Sequence, residues 1–502
     1  MDILYKIPDN WVWTTLEQIA DMTSGGTPSR TKKEYWNGNI NWLKSGELKD
    51  TYIHEVEEKI TEDGLKGSSA KIFPKDTLLM AMYGATVGRL GILNVDSSTN
   101  QAVCAIFNHH KLFVNEYLFF YLLSMRQKML KDSFGGAQPN LSQGYIKSID
   151  IPFAPLNEQK RIVAKIEKLF SNLDNSDKYL LHLEKQLKRY RQSVLKSAFE
   201  GELTKEWREK QTNLETADEL LEKIKIERTL YIENELREKF KDKPEKWIKD
   251  KVKNEVDKFD NLIKKTSILN NNLWINIPLE AITTLLGDGL HGTPKYVESS
   301  EYYFINGNNL QQGKIVIKSD TKFVSQEEYL KYKKNMNNNT ILVSINGTLG
   351  NVAFYDNEQV MLGKSACYFN LINSINKYYI FWKINSQDFR EYADKSATGS
   401  TIKNLPLSAM RNYKLPICSI LEQQEIVNQI KKHFSIIDKL ETVVQQSIKE
   451  SKRLRQSILK QAFEGKLVEQ NPNDKSASVL LEKIAKAKEE YQKAQKKQVR
   501  KK

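Results

Sequence analysis

Cysteine is almost missing from this chain. Cys104, Cys367 and Cys418 are the only three in 502 residues. They lie too far apart for the paired spacing of a structural zinc site or a disulfide framework, a usage that suits a reducing compartment. No run of 18 apolar residues occurs, which argues against a membrane-spanning helix. The first residues, MDILYKIPDNW, lack the basic start, apolar core and small-residue cleavage site of a secretion signal, so a cytoplasmic protein is expected. The histidines, His54, His109, His110, His182, His291 and His433, form no HExxH or other metal spacing. GxxxxGK[ST], a GxGxxG after a strand, a GxSxG elbow and a PD-(D/E)xK cluster are also missing. The (N/D)PP(Y/F) tetrapeptide of adenine methylation has only a distant echo in DIPF at 150–153, which lacks the second proline. The expectation is a chain that binds no cofactor or metal and chooses a place without altering it.

Acidic charge is in deficit. Lys and Arg number 77 against 63 Asp and Glu, a formal charge of +14 with pI near 9.2, which favours a polyanionic partner. Residues 1–156 carry 16 basic and 17 acidic side chains, whereas residues 421–502 carry 19 and 11. The first segment, if it grips DNA, must do so with a few placed cations and hydrogen-bonding groups.

What the chain has is the same text written twice. YRQSVLKSAFEG (190–201) returns as LRQSILKQAFEG (454–465), nine identities in twelve ungapped positions. IDIPFAPLNEQKRIVAKIEKLF (149–170) faces YKLPICSILEQQEIVNQIKKHF (413–434), with Pro152 opposite Pro416 and Gln159 opposite Gln424. LLMAMYGATVGRLGI (78–92) faces ILVSINGTLGNVAFY (341–355), GGTPSR (25–30) faces HGTPKY (291–296), WLKSGEL (42–48) faces FINGNNL (304–310), and ADELLEKI (217–224) echoes ASVLLEKI (477–484). The helical parts are nearly identical, and the globular parts share only sparse glycines, a GTP tripeptide and apolar positions. Such a pattern suits one act performed on two different targets.

In the helical parts apolar and small residues recur in steps of four and three. They fall at Ile162, Ile166, Leu169, Leu173, Ser176, Leu180, Leu183, Leu187, Tyr190 and Val194, and again at Ile430, His433, Ile437, Leu440, Val444, Ser447, Ser451, Leu454 and Ile458. This heptad seam predicts two long helices that pair antiparallel as a coiled coil. Packing of each on its own domain or on a second chain is the alternative. Prolines stand just ahead of each helix, and Gly201 and Gly465 read as stops. The globular parts predict strands within 71–84, 89–95 and 101–107 and a helix over 115–132, then strands at 340–347, 352–356 and 364–370 and a helix over 376–394. The fold class is α+β: two globular domains with mostly antiparallel sheets, joined by two long helices with an internal pseudo-two-fold repeat. The segments are 1–156, 157–203, 204–270, 271–420, 421–467 and 468–502. The charged stretch 204–265 reads as helices broken near Pro244 or as a solvated linker, and the tail after Asn471 as a fraying helix.

GATVG (84–88) and NGTLG (346–350) are too short for nucleotide loops and read as tight turns. Polar residues beside such turns are the candidate base readers and phosphate anchors: Thr27, Arg30, Lys32, Lys33, Lys44, Arg89, Gln138 and Asn140, then Thr293, Lys295, Asn308, Asn309, Asn346, Lys364 and Lys403. Arg and Lys can donate to guanine O6 and N7, and Asn or Gln can bond adenine at two points. Any one of them, taken alone, also fits an ordinary surface residue.

LNEQKRIVAKIEKLF (156–170) with YRQSVLKSAFEGEL (190–203), repeated as LEQQEIVNQIKKHF (421–434) with LRQSILKQAFEGKL (454–467), closely resembles the specificity subunits of type I restriction-modification systems over nearly the whole chain. The resemblance implies two target-recognition domains, each reading one half of a split asymmetric DNA site, with antiparallel helices setting the gap. It implies two modification subunits that methylate adenine with S-adenosylmethionine, and two restriction subunits that translocate and cleave with ATP and Mg2+. It places Gln159, Arg191, Phe199, Gln424, Arg455 and Phe463 in the assembly region. A subunit serving a solitary methyltransferase and a protein-binding coiled-coil scaffold are the competing readings.

Overall fold

The computed structural model describes residues 5–108, 111–133, 140–264, 266–270 and 272–499. The chain divides into two units, the first made of Met1–Leu181 with Gln445–Lys502 and the second of His182–Val444.

In the first unit the apolar runs found in the sequence become the middle of a five-stranded sheet. Its order is Asp21–Ser24, Val103–Phe107, Leu78–Ala81, Leu90–Leu93, Thr51–Ile53. All neighbours are antiparallel except the last pair. Strand residues point alternately to opposite faces. Leu78, Met80 and Ile106 accordingly enter one core, with helix Asn115–Asp132 and the long helix, while Leu79, Ala81 and Ala105 enter a second. A smaller sheet of Glu58–Ile60, Trp36–Leu43 and Ser98–Thr99 flanks them.

The second unit repeats the plan. Thr283–Asp288, Ala366–Leu371, Thr340–Ser344 and Val352–Phe354 form one antiparallel sheet, and a second holds Tyr296–Val297, Lys322–Val324, Tyr302–Ile305 and Val360–Leu362. The single helix expected over 376–394 is two, Lys377–Ile384 and Gln387–Ser396. Ser386 interrupts them: its hydroxyl donates to Lys383 O and accepts from Phe389 N, the local competition that suits serine to caps rather than helix interiors.

The long helices are Leu156–Phe199 and Ile420–Phe463. Gly201 (φ +80°) and Gly465 (φ +70°) follow them in the left-handed conformation that glycine enters without strain. Their covered positions differ from the apolar seam. Ser176, Tyr190, Leu440 and Leu454 are exposed, and Asp177, Glu184, Arg191, Glu441 and Arg455 occupy the partly covered positions instead. The four-and-three step therefore continues through charged residues, to which a count of apolar residues is blind.

The tail is helical over most of its described length. Ala477–Val499 is a helix whose Ala477 N donates to Asn10 O (2.9 Å) and whose Lys488 Nζ donates to Glu17 O (2.6 Å) and Ala20 O (3.0 Å). Ala217–Lys239 docks on the second unit in the same manner. Ala217 N donates to Asn272 O (2.8 Å), and Arg228 Nη1 to Glu280 O (2.6 Å) and Thr283 O. A second helix, Glu245–Ile263, begins right after Pro244 and returns along it, with Lys225 Nζ on Asp260 at 2.7 Å.

Candidate nucleic-acid interface

In the first unit the GGTPSR loop is held by its neighbours. A Cβ on Gly25 would stand 2.2 Å from Thr99 O, and one on Gly26 2.4 Å from Ala70 N, so only glycine lets the backbones approach. Two indoles pin the loop from below, Trp42 Nε1 donating to Gly26 O (2.9 Å) and Trp36 Nε1 to Ser29 O (3.0 Å). Thr27 donates to Gln101 Oε1. The Arg30 guanidinium lies 3.7 Å from the Trp36 ring centroid, and its Nη1 donates to Glu58 Oε2 at 2.6 Å. Lys44 Nζ reaches Glu58 Oε1 at 2.8 Å and Glu57 at 3.6 Å. Arg30 and Lys44 hold the Glu58 carboxyl below its ordinary range, and the hydrogen bond to Glu58 raises the Lys44 ammonium. The sequence candidates Thr27, Arg30 and Lys44 are thus brought to one corner, and Trp36, Glu57 and Glu58, which no motif marked, complete it.

Other candidates gather elsewhere. Lys32 and Lys33 are exposed, Lys32 bonding the Tyr35 hydroxyl at 2.9 Å. Arg89 is exposed beside the 84–88 turn, whose Gly84 and Gly88 have φ of +72° and +74°, and exposed Asn140 pairs with Tyr83 there. Gln138 lies outside the described residues.

The second unit keeps the places and changes the chemistry. Tyr296 stands where the loop alignment has Arg30, its ring 6.0 Å from Phe304, which takes the place of Trp42. Asn306 replaces Lys44, and its Oδ1 accepts from Ser365 Oγ at 2.9 Å. Thr293, Lys295, Asn308 and Lys364 are exposed. At the matching turn Gly347 and Gly350 have φ of +75° and +80°. There Asn346 Nδ2 donates to Asn404 Oδ1 (3.3 Å), and exposed Lys403 is bound to Asp394 (2.5 Å). Asn309 is corrected: it is buried, and its amide is spent on Asn306 N, Val316 O and Thr321 Oγ1 at 2.9–3.1 Å. It shapes the turn and offers nothing to a base.

The assembly candidates are mostly internal. Gln159 is buried, accepting from Val114 N (3.0 Å) and donating to Ala154 O (2.8 Å). Its structural counterpart is Gln423, which accepts from Asn376 N and donates to Cys418 O, both at 2.8 Å. Gln424, the expected counterpart, is one residue further and exposed. Phe463 is buried with its ring 5.3 Å from Tyr117, and Phe199 with its ring 5.1 Å from Tyr379. Arg455 forks to Asp174 (2.8 Å) and Asp177 (2.9 Å), and Arg191 to Asp438 and Glu441 (2.9 Å). Every partner lies 264 positions from its counterpart, so the repeat offset holds even in the ion pairs.

The three cysteines are buried, and burial pushes the Cys104 thiol up to about 12. Among the described residues no group of His, Cys, Asp and Glu could hold a metal, and no helix is long and apolar enough to cross a membrane.

A family model described as type I restriction modification DNA specificity domain matches residues 8–185 and 293–450. The specificity subunits of the type I restriction enzymes EcoBI of Escherichia coli and EcoKI of Escherichia coli strain K12 are similar along nearly their whole length. EcoBI is 24% identical over 506 residues, covering 96% of this chain and 93% of the relative; EcoKI is 25% identical over 507, covering 95% and 96%. The MjaIX specificity subunit of Methanocaldococcus jannaschii is 32% identical over 185 residues, 36% of this chain and 42% of that relative. The HsdS subunit of Thermoanaerobacter tengcongensis superposes with a TM-score of 0.54 at 15% identity, over 92% of this chain and 99% of that one. A chain from a structure on complex assembly and conformational transition of the type I R-M system reaches 0.64 at 17%, over 92% and 100%. At those identities the likeness is one of fold. With the family match falling on both copies of the repeat and covering more than half of the residues, this chain belongs to the type I restriction-modification DNA specificity family.

Proposed function

We propose that this protein reads a split, asymmetric DNA site, one half with residues 1–156 and the other with residues 271–420. In this reading the segments 157–203 and 421–467 form an antiparallel coiled coil that sets the gap, with 204–270 and 468–502 bracing the domains. The chain is itself non-catalytic. It positions two modification subunits, which bring S-adenosylmethionine and methylate adenine, and two restriction subunits, which use ATP and Mg2+.

The observation that carries this reading is the contrast between frame and face. Tyr117, Gln159 and Phe463 reappear as Tyr379, Gln423 and Phe199 with the same bonds and ring contacts. The corner beside the loop meanwhile changes from exposed Arg30 and half-buried Lys44 to exposed Tyr296 and half-buried Asn306. Equal mounting with unequal donors is what two different half-sites require. The residues put forward for DNA contact are Thr27, Arg30, Lys32, Lys33, Lys44, Arg89 and Asn140, with Thr293, Lys295, Asn308, Asn346, Lys364 and Lys403. Of the six assembly candidates, Gln424 is the exposed one, its amide bonded to Asn376 and Asn428, and it is the one put forward to meet a modification subunit.

The test is to co-express the full chain with its modification subunit and map N6-methyladenine on host DNA at single-base resolution. The expected result is one split motif, of which only one half changes when residues 1–156 are exchanged for those of a relative. Assembly without any chain-dependent methylation would sink the reading.

A further inference from the structure

Every candidate in the first domain carries donors, but one of them is held in place before any DNA arrives. The Arg30 guanidinium is stacked 3.7 Å from the Trp36 centroid and 5.0 Å from that of Trp42. Both indoles also bind the loop that carries it, at Ser29 O and Gly26 O. Nη1 is taken by Glu58, and among the described residues Nε and Nη2 have no partner while the side chain remains 53% exposed. What remains unbonded is one edge of a planar fork, two parallel donors on a side chain held by two ring contacts and by Glu58. Such an edge matches either guanine O6 and N7 or two oxygens of a phosphate.

The surrounding charge decides between them. Lys44 joins Arg30, but Glu58 and Glu57 face them both, and Glu47 accepts from the backbone N–H of Lys44 and of Glu57. Two cations among three carboxylates leave no excess positive charge, so the corner is a poor trap for an anion. A neutral base edge pays no such repulsion. The Lys44 ammonium, 2.8 Å from Glu58 Oε1, also helps to hold that carboxylate in place. The second domain has Tyr296 in place of Arg30 and cannot read a base in this way.

We infer that Arg30 is the guanine reader of the first domain, bonding O6 and N7 in the major groove through Nε and Nη2. The inference rests on the proposed split-site reading. Both are tested in the complex of the full chain with its modification subunit, by N6-methyladenine mapping of the wild type, Arg30→Gln and Arg30→Lys. In the wild type we expect a guanine in one half-site. In Arg30→Gln, methylation spreads to sites with other bases at that one position, a loss of discrimination on the order of 10- to 100-fold, with the other half unchanged. Arg30→Lys keeps the charge and loses the paired donors, so it relaxes the same position. Misfolding cannot imitate this result, because it removes methylation and does not add new sites. A split motif that keeps its guanine preference in both variants overturns the inference and leaves the function standing. A uniform fall at all sites, rescued by Lys, identifies a phosphate anchor and also overturns it. If the wild type yields no chain-dependent split motif, the function itself fails.

Discussion

The two units solve one structural problem, a glutamate buried where a long helix leaves its domain, in unlike ways. In the second unit Glu422 is 1% exposed and accepts from Arg208 Nε (2.8 Å), Thr204 Oγ1 (2.8 Å) and Trp274 Nε1 (3.0 Å). In the first unit Glu158, at the same offset of the repeat, is equally buried and accepts from Gln470 Nε2 (2.5 Å), but no cation lies within ion-pair distance among the described residues. The nearest ion pair, Arg161 with Asp474 at 2.7 Å, satisfies itself. A repeated frame therefore fixes where a carboxylate sits without fixing which partners it has. The difference separates contacts that the two units share from contacts that only one of them makes.

The largest effect should fall where the units agree. Phe199→Ala and Phe463→Ala each remove a buried ring from the helix end, and each should cost about 3–5 kcal/mol in its own unit. Hydrogen exchange of the full chain, followed by mass spectrometry on peptides from each unit, reads the loss of protection. A large effect at one phenylalanine and a small one at the other would break the equivalence of the joints. Next comes the place where they differ. Arg208→Met leaves the buried Glu422 without its cation, which costs about 3–5 kcal/mol in a well-packed site. Gln470→Leu removes only a neutral donor, for about 1–2 kcal/mol. Equal losses by the same readout would show that the two carboxylates depend equally on their partners.

The ion-pair forks sharpen the comparison at a finer level. Arg191 and Arg455 are both close to 22% exposed in their side chains, at 23% and 22%, so solvent screens them. Arg191→Ala and Arg455→Ala should each cost about 0.5–1 kcal/mol, less in high salt. A double-mutant cycle with Glu441 and with Asp177 measures the coupling directly. Coupling at one fork alone would place the helix register in a single unit.

How much of this could be read from the chain depended on where each signal lay. The helix ends were legible because glycine at a left-handed position is a local requirement, met at Gly201 and Gly465 alike. The strands at 78–81 and 340–344 were legible because their apolar runs are buried on both faces. The covered face of the long helices was partly misread, since Asp177, Arg191, Glu441 and Arg455 occupy it through partners distant in sequence. Asn309 looked like a base reader for the same reason that it is a good turn residue, a short amide able to bond nearby backbone. The clamp made by Arg228 left no trace, because its acceptors are backbone carbonyls and carbonyls have no letter; Lys488 bonds two carbonyls and also Asp21, a carboxylate distant in sequence.

The smallest expected effect concerns pH, and it tests the comparison most finely. Burial raises the Glu158 carboxyl above its ordinary value, outweighing the hydrogen bond from Gln470 and the field of Arg161, which lower it. A group whose folded value lies above its unfolded value contributes stability that is fully present below the unfolded value. That contribution is lost as pH rises through the folded one. Glu158→Gln keeps a neutral, hydrogen-bonding side chain at every pH, so it should match the wild type in mild acid and become the more stable of the two as pH rises. The gap should then level off once the wild-type carboxyl has ionised. Urea midpoints of the full chain, taken from about pH 4 upward through neutrality, measure that difference. A difference that is constant with pH, or that favours the wild type at the upper end, would mean that Glu158 is charge-compensated after all and that the two joints are alike.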